Sequence, residues 1–258
     1  MQAGMVTANE VPIKRNVAKK RKRKGKRKSG WRLWLAYFLR IATMCTIVLL
    51  LVAIWKMLVF IAGIQTKNTG LFRDKDNITI WLDAGHGGED VGSDVGSVYE
   101  KEINLSIVEK LKKRLEEKGY KTYLTREDDS TVNKYDRAEM ANKEKADLFV
   151  SIHCNSAKQD HVKGIETYFP KGDKQGEKLA EKIQDIMVNE LQANDRGIQT
   201  GNFVVLNKTD MPAVLIETGF LSNKEEYRNV TDEEYQERMA KAIAEGIEEF
   251  IESENASE

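Results

Sequence analysis

Two hydrophobic patterns divide this chain. Over residues 31–64 the sequence "WRLWLAYFLRIATMCTIVLLLVAIWKMLVFIAGI" is apolar almost throughout, broken by two arginines, one lysine, two threonines and a cysteine. From Ile78 onward, apolar residues come instead in short runs or at helical intervals. "ITIWL" is a β-branched run that reads as a strand. Residues 101–118 carry Ile103, Ile107, Leu111 and Leu115 four apart, and Gly119 follows as a stop signal. "KTYLT", "DLFVSIH" and "GIETYF" are further strand candidates, and residues 133–146 and 177–191 read as helices. "NFVVLN" and "AVLIET" resemble strands covered on both faces. A last helix opens with Thr231 and Glu234 at capping-box spacing and repeats Tyr235, Met239, Ile243, Ile247 and Phe250. This alternation predicts an α/β domain: a mainly parallel (mixed) central sheet flanked by helices on both faces.

The first pattern needs a different solvent. About 20 consecutive apolar residues span a bilayer core, and residues 33–64 exceed that. Trp31, Trp34, Tyr37 and Trp55 suit the membrane interface. A cleaved signal peptide is the rival reading; the run is long for one, and no A-x-A site follows it. The predicted organisation is a basic segment 1–32, one N-terminal transmembrane helix 33–64, a polar linker 65–77 and a catalytic domain 78–253.

Charge gives this arrangement a direction. The formal net charge is +0, but about a dozen basic residues and no acidic ones crowd residues 14–32, while the chain from Asp74 holds about 25 basic against about 40 acidic residues. A basic cluster before a span keeps that side cytoplasmic, so the body is expected outside a cell membrane that the chain crosses once. Taken alone the cluster could bind nucleic acid; beside a span it reads as an orientation signal and a contact for anionic lipid. No nucleic-acid partner is expected, and the body is expected to be a monomer. Cys45 lies in the span and Cys154 in the body, so there is no disulfide framework.

In parallel sheets, ligands gather at the C-terminal strand edge. His86, Glu100, His153 and Glu217 stand at or just beyond predicted strand ends. "LDAGHGG" is not a phosphate loop: a dinucleotide fingerprint would need Gly at position 90, which is Asp, and the Gly-Lys-Ser/Thr of a P-loop is absent. Glycines around His86 would let the backbone turn and expose the imidazole. Two histidines and a carboxylate form a common catalytic zinc set, although a lone histidine beside a glycine turn, such as His86, is more often a capping or packing residue, and His153 fits a hydrogen-bonded strand-end role equally well. His161 reads as a solvated surface residue and Cys154 as a small buried one.

The motifs "LDAGHGG", "YEKEINL", "LTR", "DRAEMAN", "ADLFVSIHCNS" and "PAVLIETGFLSN", in this order, resemble the zinc-dependent N-acetylmuramoyl-L-alanine amidases, the amidase-3 family of bacterial cell-wall hydrolases. The resemblance covers residue 78 to about residue 251. It implies one Zn²⁺ held by His86, Glu100 and His153, with Glu217 as the catalytic glutamate and peptidoglycan as the substrate. The ligand position directly before Lys101 favours Glu100 over Glu102, which then reads as a first-turn helix residue. The implied reaction is hydrolysis of the amide between N-acetylmuramic acid and the first L-alanine of the stem peptide. Asp83 is expected either to orient a ligand or to face solvent in the turn. Arg126 and Arg137 are expected to make structural ion pairs. No inhibitory helix is expected over the site. A catalytically silent wall-binding relative and a zinc hydrolase of another extracytoplasmic amide are the competing readings.

Overall fold

A computed structural model of the protein describes residues 30–68 and 75–256. The basic run before residue 30 and residues 69–74 of the linker therefore lie outside the described residues. The chain divides into two units, Met1–Ile64 and Gln65–Glu258.

Most of α1 belongs to the first unit; the helix spans Gly30–Asn68 and so continues four residues into the stretch expected as linker. Gly30–Met57 is long and apolar enough to cross a membrane. Its large side chains have no core of their own: Met44, Leu49 and Trp55 are all more than 60% exposed. A helix apolar on all sides fits a packed core or a membrane span.

In the second unit the elements follow in the order β1 (Thr79–Ala84), β2 (Asp94–Val95), β3 (Val98–Tyr99), α2 (Glu100–Glu117), β4 (Lys121–Leu124), α3 (Lys134–Lys143), β5 (Leu148–Asn155) and β6 (Ile165–Phe169). After these come α4 (Lys174–Leu191), β7 (Asp195–Thr200), α5 (Val204–Lys208), β8 (Ala213–Phe220), α6 (Lys224–Val230) and α7 (Glu233–Asn255). The six-stranded sheet has the order β4-β1-β5-β8-β6-β7. Strands β4, β1, β5 and β8 are mutually parallel, β6 runs antiparallel to β8, and β7 is parallel to β6. The C-terminal ends of β1, β5 and β8 therefore share one edge with the N-terminal ends of β6 and β7. The register pairs His153 with Glu217 and Glu217 with Glu166, placing these three residues in one cross-strand row.

The two-residue period of the strands explains why the sheet is buried on both faces. Ile80 and Leu82 join α2, α4 and α7 in one core through Leu111, Ile183, Met187, Ile243 and Ile247. Trp81, between them, joins Phe149, Leu215, Ala141 of α3 and Leu206 of α5 in the second. Each fully buried Leu or Ile contributes roughly 1.5–3 kcal/mol.

Three expectations need correction. "NFVVLN" is largely the short helix α5, whose Val205 and Leu206 cap the smaller core; a run of four apolar residues carries no period that separates helix from strand. The unpredicted edge strand is β7, "DRGIQT", which has no fully buried residue and so no apolar signature. Helix α7 is capped by Asp232, whose side chain accepts the Tyr235 N–H at 2.9 Å, while the Thr231 hydroxyl turns back to the Tyr227 carbonyl at 2.6 Å and closes α6.

Candidate metal centre and active site

The turn after β1 presents His86. Its φ is +62°, a left-handed conformation unusual outside glycine, so the histidine itself turns the chain together with Gly87 and Gly88. Gly85 serves another purpose: a Cβ there would lie 2.3 Å from the His153 ring. A Cβ on Gly92 would likewise meet Glu100 Oε2 at 2.6 Å and His86 Cδ2 at 2.7 Å. Both glycines hollow out room around one point.

At that point three side chains converge. Glu100, the first residue of α2, directs Oε1 to His86 Nε2 at 3.1 Å and to His153 Nδ1 at 3.0 Å. One potential ligand atom from each of the three residues falls within 4.8 Å of the others. Glu100 is 3% exposed and also accepts the backbone N–H groups of Ser93 and Cys154 and the Asn104 amide. Those donors fix the carboxylate's orientation, as outer partners of a metal ligand do. Sequence-adjacent Cys154 is buried and joins the cluster through its backbone N–H. Glu102 and His161 are exposed, as expected.

Beneath the turn, two arginines hold the backbone. Arg137 donates from Nη1 to Asp83 Oδ1 at 2.6 Å and to the Ala84 carbonyl at 2.7 Å, and from Nη2 to the His86 carbonyl at 2.6 Å. Arg126 donates to the carbonyls of Ala84, Gly85, Asp128 and Lys101. It thereby ties the His86 turn to the residue following Glu100. The expected ion pair exists for Arg137, but Arg126 binds carbonyl oxygens. Asp83 neither bonds to His86 or His153 nor meets solvent: it is fully buried among Arg137, Thr125 and Ser151. A left-handed His86 persists because these bonds over-determine its backbone.

The electrostatics follow from one buried carboxylate shared by two imidazoles. Burial works to raise Glu100, but His153 and His86 outweigh it and hold the carboxyl well below the usual range. Burial works to lower His86, and Glu100 and Asp90 overcome it, raising the imidazole to about 9. His86 Nδ1 lies 2.9 Å from Asp90 Oδ2, near enough for ion pairing yet out of line for a hydrogen bond. Glu217 is raised to about 7, chiefly by burial, with Glu100 and Glu166 adding to the effect and His153 and His86 opposing it. Among the described residues its Oε2 is buried without a hydrogen-bond partner.

A sequence profile of the Amidase_3 family, described as N-acetylmuramoyl-L-alanine amidase, matches residues 80–249. The chain belongs to this family. The Bacillus subtilis protein YqiI, itself uncharacterised, is 41% identical over 175 residues, covering 67% of this chain and 84% of that one. An N-acetylmuramoyl-L-alanine amidase of known structure from Clostridium difficile 630 superposes with a TM-score of 0.67 at 38% identity, over 69% of this chain and 98% of that one. The catalytic domain of CwlV, an amidase from Bacillus (Paenibacillus) polymyxa, gives 0.65 at 37% identity, over 68% and 98%.

In this amidase fold a cavity of about 400 Å³ opens on His86, His153, Asp90 and Arg137. A larger hollow of about 590 Å³ lies at the opposite end of the strands, around Asp147, Pro170 and Pro212, and holds none of the cluster. Helix α4 is a plain framework helix packed on α7. Beside Glu217 lie two groups that the sequence reading passed over, Glu166 and Arg196. An acidic residue inside the otherwise apolar "GIETYF" was the available signal for the first; the second sits in a strand with no pattern.

Proposed function

We propose that this amidase-family chain is a membrane-anchored zinc amidase that hydrolyses the bond between N-acetylmuramic acid and the first L-alanine of the peptidoglycan stem peptide. The observation that carries the reading is one arrangement: His86, Glu100 and His153 converge, with Glu217 paired to His153 in the same cross-strand row. The donor set fits the metal, since two imidazole nitrogens and a buried carboxylate leave a coordination position free. Zn²⁺ held by His86, Glu100 and His153 would supply an acidified water and polarise the scissile carbonyl.

Within this reading, Glu217 accepts a proton from the attacking water and returns it to the leaving amine. Burial pushes the Glu217 carboxyl upward, toward the range in which an acid–base group can both take and return a proton. Asn104, Ser93 and Cys154 keep the Glu100 carboxylate aimed, and the arginine pair keeps His86 presented. Residues 1–32 remain cytoplasmic, 33–64 anchor, 65–77 link, and the catalytic domain 78–253 meets the wall outside the membrane.

The test is to incubate the full-length protein in detergent with peptidoglycan and analyse the soluble products by mass spectrometry. Free stem peptides beginning with L-alanine are expected, and chelation should stop their release. Zinc-loaded protein that releases none would overturn the proposal in favour of a silent wall-binding relative.

A further inference from the structure

The antiparallel flank of the catalytic edge carries a second buried carboxylate. Glu166 is 2% exposed and is directly opposite Glu217 in the β6–β8 register. Opposed residues on antiparallel strands share a face, with Cβ atoms about 5 Å apart. Four side chains donate to Glu166: Asn155 Nδ2 at 2.9 Å and the Tyr168 hydroxyl at 3.1 Å to Oε1, and Arg196 Nε at 3.0 Å and Gln199 Nε2 at 3.1 Å to Oε2.

Arg196 is the informative partner. Its guanidinium lies 5.0 Å from the centroid of the Phe220 ring, and its side chain is 35% exposed. Only Nε is used by Glu166; among the described residues neither Nη nitrogen has a protein partner. A buried ion pair is a poor source of net stability, because desolvation offsets the attraction. What this pair does achieve is to hold an arginine fork still, with donors unused, at the edge that carries Glu217. A guanidinium has five N–H donors, so an arginine engaged at Nε can still pair with a second carboxylate.

We propose that Arg196 binds a free carboxylate on the substrate's stem peptide, and that Glu166 is the residue positioning it. The inference rests on the amidase reading above. One cross-strand step and one hydrogen bond separate Arg196 from Glu217, roughly 10 Å, or about three residues of extended peptide. The recognised group is therefore on the peptide, close to the scissile bond. The pair is neutral before substrate arrives, so the peptide's charge is met by the fork's geometry as much as by net charge.

The test compares a synthetic N-acetylmuramyl peptide with its peptide carboxylates free and the same compound with them amidated. The full-length wild-type protein should prefer the free acid by about ten- to a hundredfold in kcat/KM, the fold-change of one charge-assisted hydrogen bond, mostly through KM. Arg196→Gln should bring that ratio close to one. Arg196→Lys, which keeps the charge and loses the fork, should fall between and serves if the glutamine variant does not fold. A purely structural pair would lower the melting temperature and leave the ratio unchanged. A preference undiminished in either folded variant, or a wild type that hydrolyses both compounds equally, would overturn the inference. A wild type that hydrolyses neither would overturn the amidase reading beneath it.

Discussion

The two flanks of the catalytic edge are held by opposite means. On the parallel flank, β1 and the turn after it are fixed through the backbone: two buried guanidiniums take the carbonyls of Ala84, Gly85, His86 and Lys101. On the antiparallel flank, the buried Glu166 fixes side chains and leaves part of Arg196 exposed. The first design tolerates no adjustment, because a carbonyl cannot follow a shorter donor. The second keeps one anchored group available to something outside the protein. A rigid set of potential ligands beside an anchored side-chain fork suits a site whose chemistry is invariant while its substrate carries recognisable features.

The comparison breaks most visibly at the row joining the flanks. Glu217→Gln should lower hydrolysis by about 10²–10⁴-fold, the usual worth of a positioned acid–base group, with metal content unchanged. Retained activity would separate Glu217 from the chemistry.

The parallel flank can be broken alone. Asp83→Asn leaves Arg137 buried without its counter-charge, at an expected cost of about 3–5 kcal/mol, read from chemical unfolding. Burial works to raise Asp83, but Arg137, Thr125 and Ser151 outweigh it and hold the carboxyl below its ordinary value. A group lowered in this way adds stability above its unfolded value of about 3.9, and that stability is lost as pH falls through the folded value. The asparagine variant should accordingly lose less stability than wild type on acidification. Equal stability and equal acid sensitivity would mean the pair holds nothing.

A milder change sharpens the same flank. Arg126→Lys keeps the charge and loses most of the carbonyl bonds, so metal affinity by chelator competition should weaken by about 10–100-fold, as for outer-partner substitutions. Unchanged affinity in a folded variant would show that the turn needs no such clamp.

The gentlest perturbation is of pH. In the free protein His86 keeps its proton up to about 9, and a metal must displace it. Affinity should rise by about tenfold per pH unit between pH 6 and 8 for one displaced proton; a flat profile would contradict the placement of His86 in the cluster.

Much of this was legible in the residues, for physical reasons. Ile80, Trp81 and Leu82 are all apolar because both faces of β1 are covered, and the four-residue spacing of α2 and α7 follows from one buried stripe. The site was legible only in part. His86, Glu100, His153 and Glu217 are spread along the chain, and only their places at predicted strand ends and the order of motifs joined them. Asp83 could not be placed, because a carboxylate after an apolar run looks the same whether it faces water or a buried arginine. Arg126 binds carbonyl oxygens, which every residue has and no pattern marks. Arg196 lies on an edge strand without apolar periodicity, and its partner Glu166 is a neighbour through the sheet alone.

The central claim is that His86, Glu100 and His153 hold one metal ion and Glu217 works beside it without binding it. The direct measurement is zinc stoichiometry, by elemental analysis of wild type, Glu217→Gln and His153→Ala, set beside peptide release from peptidoglycan. The account predicts one zinc per chain in wild type and Glu217→Gln, little in His153→Ala, and peptide release by wild type alone. Stoichiometric zinc in His153→Ala, or loss of zinc in Glu217→Gln, would contradict it.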